Sequence, residues 1–101
     1  MVAIPKNKPW RSKKYRKWII DHDCILTGLP GPNYDHHEQL PFEGTMGGKC
    51  GDDRLIPLAH YLHVQRHSEG RKFWLFWEGN PEQIIKDLHA EYVAQGGTIK
   101  A

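Results

Sequence analysis

Four histidines constrain this chain more than any other feature. His36 and His37 are adjacent, and His63 and His67 follow with three residues between them. On a helix, positions four apart lie one above the other, so His63 and His67 can share one metal ion. On a strand, neighbours point to opposite faces, so only one of His36 and His37 can turn to that ion. A fold that lays such a strand on such a helix gathers three imidazoles around one divalent ion. The fourth imidazole is left outside the coordination shell, free to act as a base. Imidazole suits zinc and other late first-row ions, and an open coordination position marks a catalytic ion rather than a structural one. His60, three residues before His63, competes as a ligand. Either pair alone arises by chance in a chain with seven histidines. Both together, in strand-then-helix order across a glycine-rich connection, are much more specific.

The surrounding pattern supplies those elements. Tyr34 to His37 reads as a short strand after the breakers Gly28, Pro30, Gly31 and Pro32. Gly44, Gly47, Gly48 and Gly51 make the connection, and Arg54 to Ile56 is the return strand. From Pro57 to about Ser68 the pattern is helical, with Pro57 suited to a first turn and Gly70 ending the helix. Residues 1–11, with Pro5 and Pro9, read as an extended arm. Ser12 is placed to cap a helix reaching Asp21, with Tyr15, Trp18 and Ile19 on one face. Phe73, Trp74, Phe76 and Trp77 read as core packing in preference to a base-stacking platform. A last helix spans 80–96, with Asn80 as cap, Pro81 at its first position and Gln83 reaching back. Its apolar face is Ile84, Ile85, Leu88, Tyr92 and Val93, and Gly96 and Gly97 stop it. The first and last helices are expected to pack through Trp18, Phe73, Trp74, Ile84 and Leu88. The fold class expected is α+β: a ββα unit over 34–69, flanked by N- and C-terminal helices.

A chain of 101 residues forms one domain with a small core. Its net charge of +2 hides an asymmetry. Lys6, Lys8, Arg11, Lys13, Lys14, Arg16 and Lys17 all precede the first acid, Asp21. Such an arm meets nucleic acid phosphates without reading sequence; its plain alternative is a solvated tail. Mean hydropathy is -0.68, no apolar run approaches a membrane span, and no signal-peptide pattern opens the sequence. A soluble, cytoplasmic protein with no membrane partner is expected. Cys24 and Cys50 are the two cysteines, read as reduced thiols.

Several runs resemble the HNH nuclease motif, the ββα-metal or His-Me finger. They are Asp35-His36-His37-Glu38, Gly47-Gly48-Lys49, Asp53-Arg54-Leu55-Ile56-Pro57-Leu58, and His63 with His67. The opening from Lys8 to Tyr15 and the tail from Phe73 to Glu91 are similar to small HNH-type nucleases of phages and prophages. The His-His-Glu run is also similar to the colicin nuclease domains. The resemblance implies an endonuclease acting on DNA, double-stranded DNA first, with one divalent ion (Zn, Mg, Mn or Ni) and no organic cofactor. It implies His36, His63 and His67 as metal ligands and His37 as the general base. In a second register Asp35 is the ligand and His36 the base. Asp53 stands where the family usually has an Asn bracing the loop between the strands. Related phage proteins carry Cys-x-x-Cys-Gly near the first helix and a further Cys before the helical histidines. Here Thr27 and Ala59 occupy those positions, so Cys24 is expected to be a small buried residue and no second metal is expected.

Lys49, Arg54 and Arg66 are candidates to hold phosphates near the metal, beside Lys8, Arg11, Lys13, Lys14, Arg16 and Lys17 in the basic arm and first helix. His22 and His89 are expected on helix surfaces. The alternative from another class is a zinc-stabilised DNA-binding module without catalysis, its shell closed by His60, Asp35 or Cys50. The spare imidazole at His37 speaks against it. A small interaction protein with incidental histidines is the third reading.

Overall fold

The hydroxyl of Ser12 accepts a hydrogen bond from the Tyr15 N–H at 3.1 Å and starts a helix over Lys13–Asp21, α1. The computed structural model describes residues 10–38 and 51–99. Two strands follow α1, Tyr34–His37 (β1) and Leu55–Leu58 (β2), the second preceded by a single 3-10 turn at Asp52–Arg54. They pair antiparallel, with Tyr34 opposite Leu58 and His37 opposite Leu55. Three further helices complete the described residues: His60–Glu69 (α2), Lys72–Phe76 (α3) and Pro81–Ala94 (α4). The architecture is a small α+β domain of four α-helices and one two-stranded sheet. None of these helices is long and apolar enough to cross a membrane.

Burial explains why β2 carries an unbroken apolar run. All four of its residues are buried, as in a strand covered on both faces. Leu55 packs with Tyr15, Ile19, Leu88 and Tyr92, the cluster between α1 and α4. Ile56 and Leu58 pack instead with Cys24, Leu62, Phe73, Trp74 and Ile85, under α2 and α3. The expected packing of the terminal helices is thereby corrected. Trp18 does meet Tyr92, their rings 5.1 Å apart, but Phe73 and Trp74 belong to the other cluster.

Two local expectations also change. Pro57 lies inside β2, opposite Asp35, and α2 begins only at His60. A two-stranded sheet has only edge strands, so a proline with no N–H to donate is tolerated there. Its carbonyl still accepts from the Ile25 N–H at 3.1 Å. Gln83 does not reach back to the cap of α4; its amide donates forward to Asp87 at 2.9 Å. Asn80 caps that helix alone, accepting from the Gln83 N–H.

Candidate metal and general-base site

The β1–β2 pairing sets His36 opposite Ile56, and the turn at Ala59 folds α2 back over β1. Strand alternation then turns His36 inward, only 6% exposed, while His37 faces outward. His63 and His67, one turn apart on α2, present their Nε2 atoms 3.2 Å from each other. One ring nitrogen from each of His36, His63 and His67 falls within 4.8 Å of the others. Three imidazoles at that separation suit a late first-row ion as a donor set. Burial, together with the charges His36 and His67 would carry and against the pull of Asp35, holds the His63 pKa down at about 4. His63 is therefore unprotonated at neutral pH, with its lone pair available.

Behind His36 stands an ion pair that sequence reasoning missed. Glu38 is 1% exposed, and its Oε1 lies 2.8 Å from His36 Nε2. Arg66, from α2, donates to both oxygens of the same carboxylate, at 3.0 and 2.7 Å. Burial raises the Glu38 pKa, but the His36 and Arg66 hydrogen bonds outweigh it and hold the carboxyl at about 2. A carboxylate on one ring nitrogen fixes the imidazole's orientation and leaves the other nitrogen for a metal. The signal was present in the spacing: Glu38 follows His36 by two, the strand period that shares a face.

His37 has its own carboxylate. Its Nε2 lies 3.0 Å from Asp52 Oδ1, and its side chain is 38% exposed. Asp52 is buried and also accepts from the Ser12 N–H at 2.8 Å and from Arg11 at 3.2 Å. Burial pushes its pKa up, while the Ser12, His37 and Arg11 hydrogen bonds pull it down further, so it is ionised at neutral pH. Nothing in sequence singled out Asp52, because its partners are 15 and about 40 residues away.

The remaining candidates sit elsewhere. Asp35 accepts from Arg16 Nε at 2.9 Å, and the three groups that lie within 4.8 Å of one another are His36, His63 and His67 without it. Asp53, expected to brace the loop between the strands, offers its backbone carbonyl to His89 Nε2 at 2.7 Å, and residues 39–50 of that loop lie outside the described residues. His89, on α4, is half-buried against the Asp52–Arg54 turn and the Tyr15 ring, not a surface residue. His22, at the end of α1, bonds Glu91 at 3.1 Å. His60 packs its ring against Tyr34 and stays out of the cluster. Arg66, a candidate phosphate holder, donates to both oxygens of Glu38. Lys17 pairs with Asp21, and Arg54 lies 3.6 Å from Asp53. Lys13 and Lys14 are exposed on α1. Lys8, Lys49, Cys50 and the connecting glycines Gly44, Gly47 and Gly48 lie outside the described residues. Cys24 is buried, and its Sγ accepts from the Ala59 N–H at 3.4 Å. Burial raises its pKa, but hydrogen bonds led by Thr27 lower it further. Thr27 and Ala59, the positions of the missing cysteines, thus both converge on Cys24.

Fold and site together define a small α+β domain whose strand–strand–helix unit presents three clustered imidazoles beside a fourth held by a buried carboxylate. Residues 1–90 match the family described as "Protein of unknown function (DUF968)", and the chain belongs to that family. It is also 30% identical over 68 residues to the uncharacterized protein YdfU of Escherichia coli (strain K12). That match takes in 67% of this chain and 19% of the relative, so the chain spans about a fifth of YdfU's length. No solved structure matches this chain.

Proposed function

We propose that this protein is a metal-dependent endonuclease of the HNH type, hydrolysing phosphodiester bonds in DNA. One observation carries the proposal: three imidazoles within 4.8 Å, with a fourth on the adjacent strand residue, outward-facing and held by a carboxylate. His36, His63 and His67 would hold the ion. A divalent ion there supplies Lewis-acid stabilisation of charge on the phosphate and the departing oxygen. His37 takes a proton from water as the new P–O bond forms and the bond to the 3′ oxygen breaks. Its Nε2 faces Asp52, so Nδ1 is the nitrogen that accepts this proton. Glu38 keeps His36 oriented, and Lys13 and Lys14 offer exposed charge to the backbone. Activity in the bacterial cytoplasm, on DNA of phage or prophage context, is part of the same proposal.

A closed structural zinc site needs a fourth donor. Among the described residues, Asp35 is engaged by Arg16 and His60 packs on Tyr34, which favours an open position over a closed shell. The test is to incubate the protein with supercoiled plasmid and Mg²⁺, Mn²⁺, Ni²⁺ or Zn²⁺, with and without chelator. Nicking with at least one ion, abolished by chelator, is expected. Binding of metal and DNA without cleavage under every ion would instead favour the DNA-binding module.

A further inference from the structure

We infer that Asp52 is the positioning residue of the general base, and that the segment Trp10–Ser12 is part of the active site because it holds Asp52. This rests on the nuclease reading of His37. The base itself is exposed and is the last residue of a four-residue strand. Among the described residues its ring is held by Asp52, at 3.0 Å. Asp52 in turn is fixed from both ends of its chain unit. Its backbone N–H donates to the Trp10 carbonyl at 2.7 Å, and its Oδ2 accepts from the Ser12 N–H at 2.8 Å. Arg11 adds a contact to Oδ1, the oxygen that His37 also uses. Gly51 lets the two segments meet: a Cβ there would lie 2.8 Å from the Trp10 nitrogen and 3.0 Å from its oxygen.

The chemical consequence follows from imidazole tautomerism. A carboxylate that accepts from Nε2–H places the lone pair on Nδ1, where the proton from water must arrive. When that proton transfers, His37 becomes an imidazolium and the ionised Asp52 stabilises it. Asp52 itself stays unprotonated, and the proton leaves to solvent after the strand break. A residue that worked only by bracing the loop would support folding but would not choose the tautomer of His37.

Two measurements test this, one independent of activity. In ¹⁵N spectra of the metal-free protein at pH 7.5, His37 is expected as the Nε2–H tautomer, and Asp52→Asn should shift it to a mixture. A mixed tautomer in the wild type, or one indifferent to Asp52→Asn, overturns the inference even if the plasmid is never cut. In nicking assays Asp52→Asn should lower kcat by at least about 10-fold, with the roughly 10²–10⁴-fold contribution of the general base itself as the upper bound. KM and metal stoichiometry should hold. In a His37→Ala background the same substitution should cost nothing further; an equal loss there would make Asp52 a bracing residue only. Wild-type protein that cuts nothing while His37 still shows the Asp52-dependent tautomer would defeat the nuclease reading and leave the Asp52–His37 pair standing.

Discussion

Replacing Glu38 with alanine removes the acceptor of three hydrogen bonds, one from His36 and two from Arg66, at 2.8, 3.0 and 2.7 Å. Arg66 is then left as a mostly buried cation, its side chain 13% exposed, with its carboxylate gone. Breaking one side of a buried pair costs about 3–5 kcal/mol, because the surviving charge keeps its desolvation penalty. For a domain of this size each kcal/mol moves the melting temperature by about 4–8 °C, so a fall of at least about 12 °C is expected. The second loss is at the metal. His36 without its carboxylate is no longer held in one orientation, and such partners are worth about 10–100-fold in metal affinity. At a fixed excess of ion this removes about 1.4–2.7 kcal/mol of metal-induced stabilisation. The assay is a set of denaturation curves with chelator and with added Zn²⁺, beside a calorimetric zinc titration. Glu38→Leu combined with Arg66→Met should restore most of the apo stability, since an apolar pair of similar volume avoids the stranded charge. It should not restore zinc affinity. An apo cost below about 1 kcal/mol for Glu38→Ala, or an unchanged zinc titration, would refute the claim that this buried pair supports both the fold and the imidazole cluster.

Removing the His37 side chain should lower cleavage by about 10²–10⁴-fold to a small residual rate and preserve zinc binding, whereas His67→Ala should weaken both, read by plasmid nicking and calorimetry. Loss of zinc from His37→Ala with retention by His36→Ala would put the ligand and the base in the opposite order. Acid should destabilise the metal-free fold in two overlapping windows. His63 is held below its ordinary 6.5, at about 4, and Glu38 below its ordinary 4.5, at about 2, so each loses stability as pH falls through its own interval. Melts at pH 7.5 and 5.5 should show the onset of the His63 loss, and melts taken on down to pH 3 the Glu38 loss, with a smaller gain from Zn²⁺ at pH 5.5 than at 7.5 as the ligands protonate; a melting temperature indifferent to Zn²⁺ at pH 7.5 would dissolve the single-site interpretation. Of the seven early basic residues, Arg11, Arg16 and Lys17 are paired within the fold. Four remaining contacts give a log–log salt slope of roughly -3.6 for DNA binding. Deleting residues 1–9 removes Lys6 and Lys8 and should flatten that slope by about two with cleavage retained, while deletion through Ser12 should cost cleavage as well. A slope unchanged by the shorter deletion would mean that those lysines are only solvated.

What could be decided from sequence was whatever depends on short spacing. Two helical histidines four apart share a face in any helix, and an adjacent pair on a strand must divide between two faces. Ser12 and Asn80 announced helix starts because a cap acts within three residues. Apolar runs around Tyr15 and Leu88 announced buried faces for the same local reason. The rest depended on which distant residues meet. Asp35 and Asp53 look as chemically apt as Glu38 and Asp52 when the chain is read in order. Tertiary packing alone assigned Asp35 to Arg16, Glu38 to His36 and Arg66, and Asp52 to His37 and Ser12. Pro57 shows the same limit: locally it suits a helix start, but pairing opposite Asp35 and the burial of both its neighbours, Ile56 and Leu58, make it part of a strand. Side-chain type and spacing set which groups were available for chemistry. Which carboxylate orients which imidazole was decided only when strands, helices and the Trp10–Ser12 segment closed on one another, because those hydrogen bonds join residues that the sequence keeps far apart.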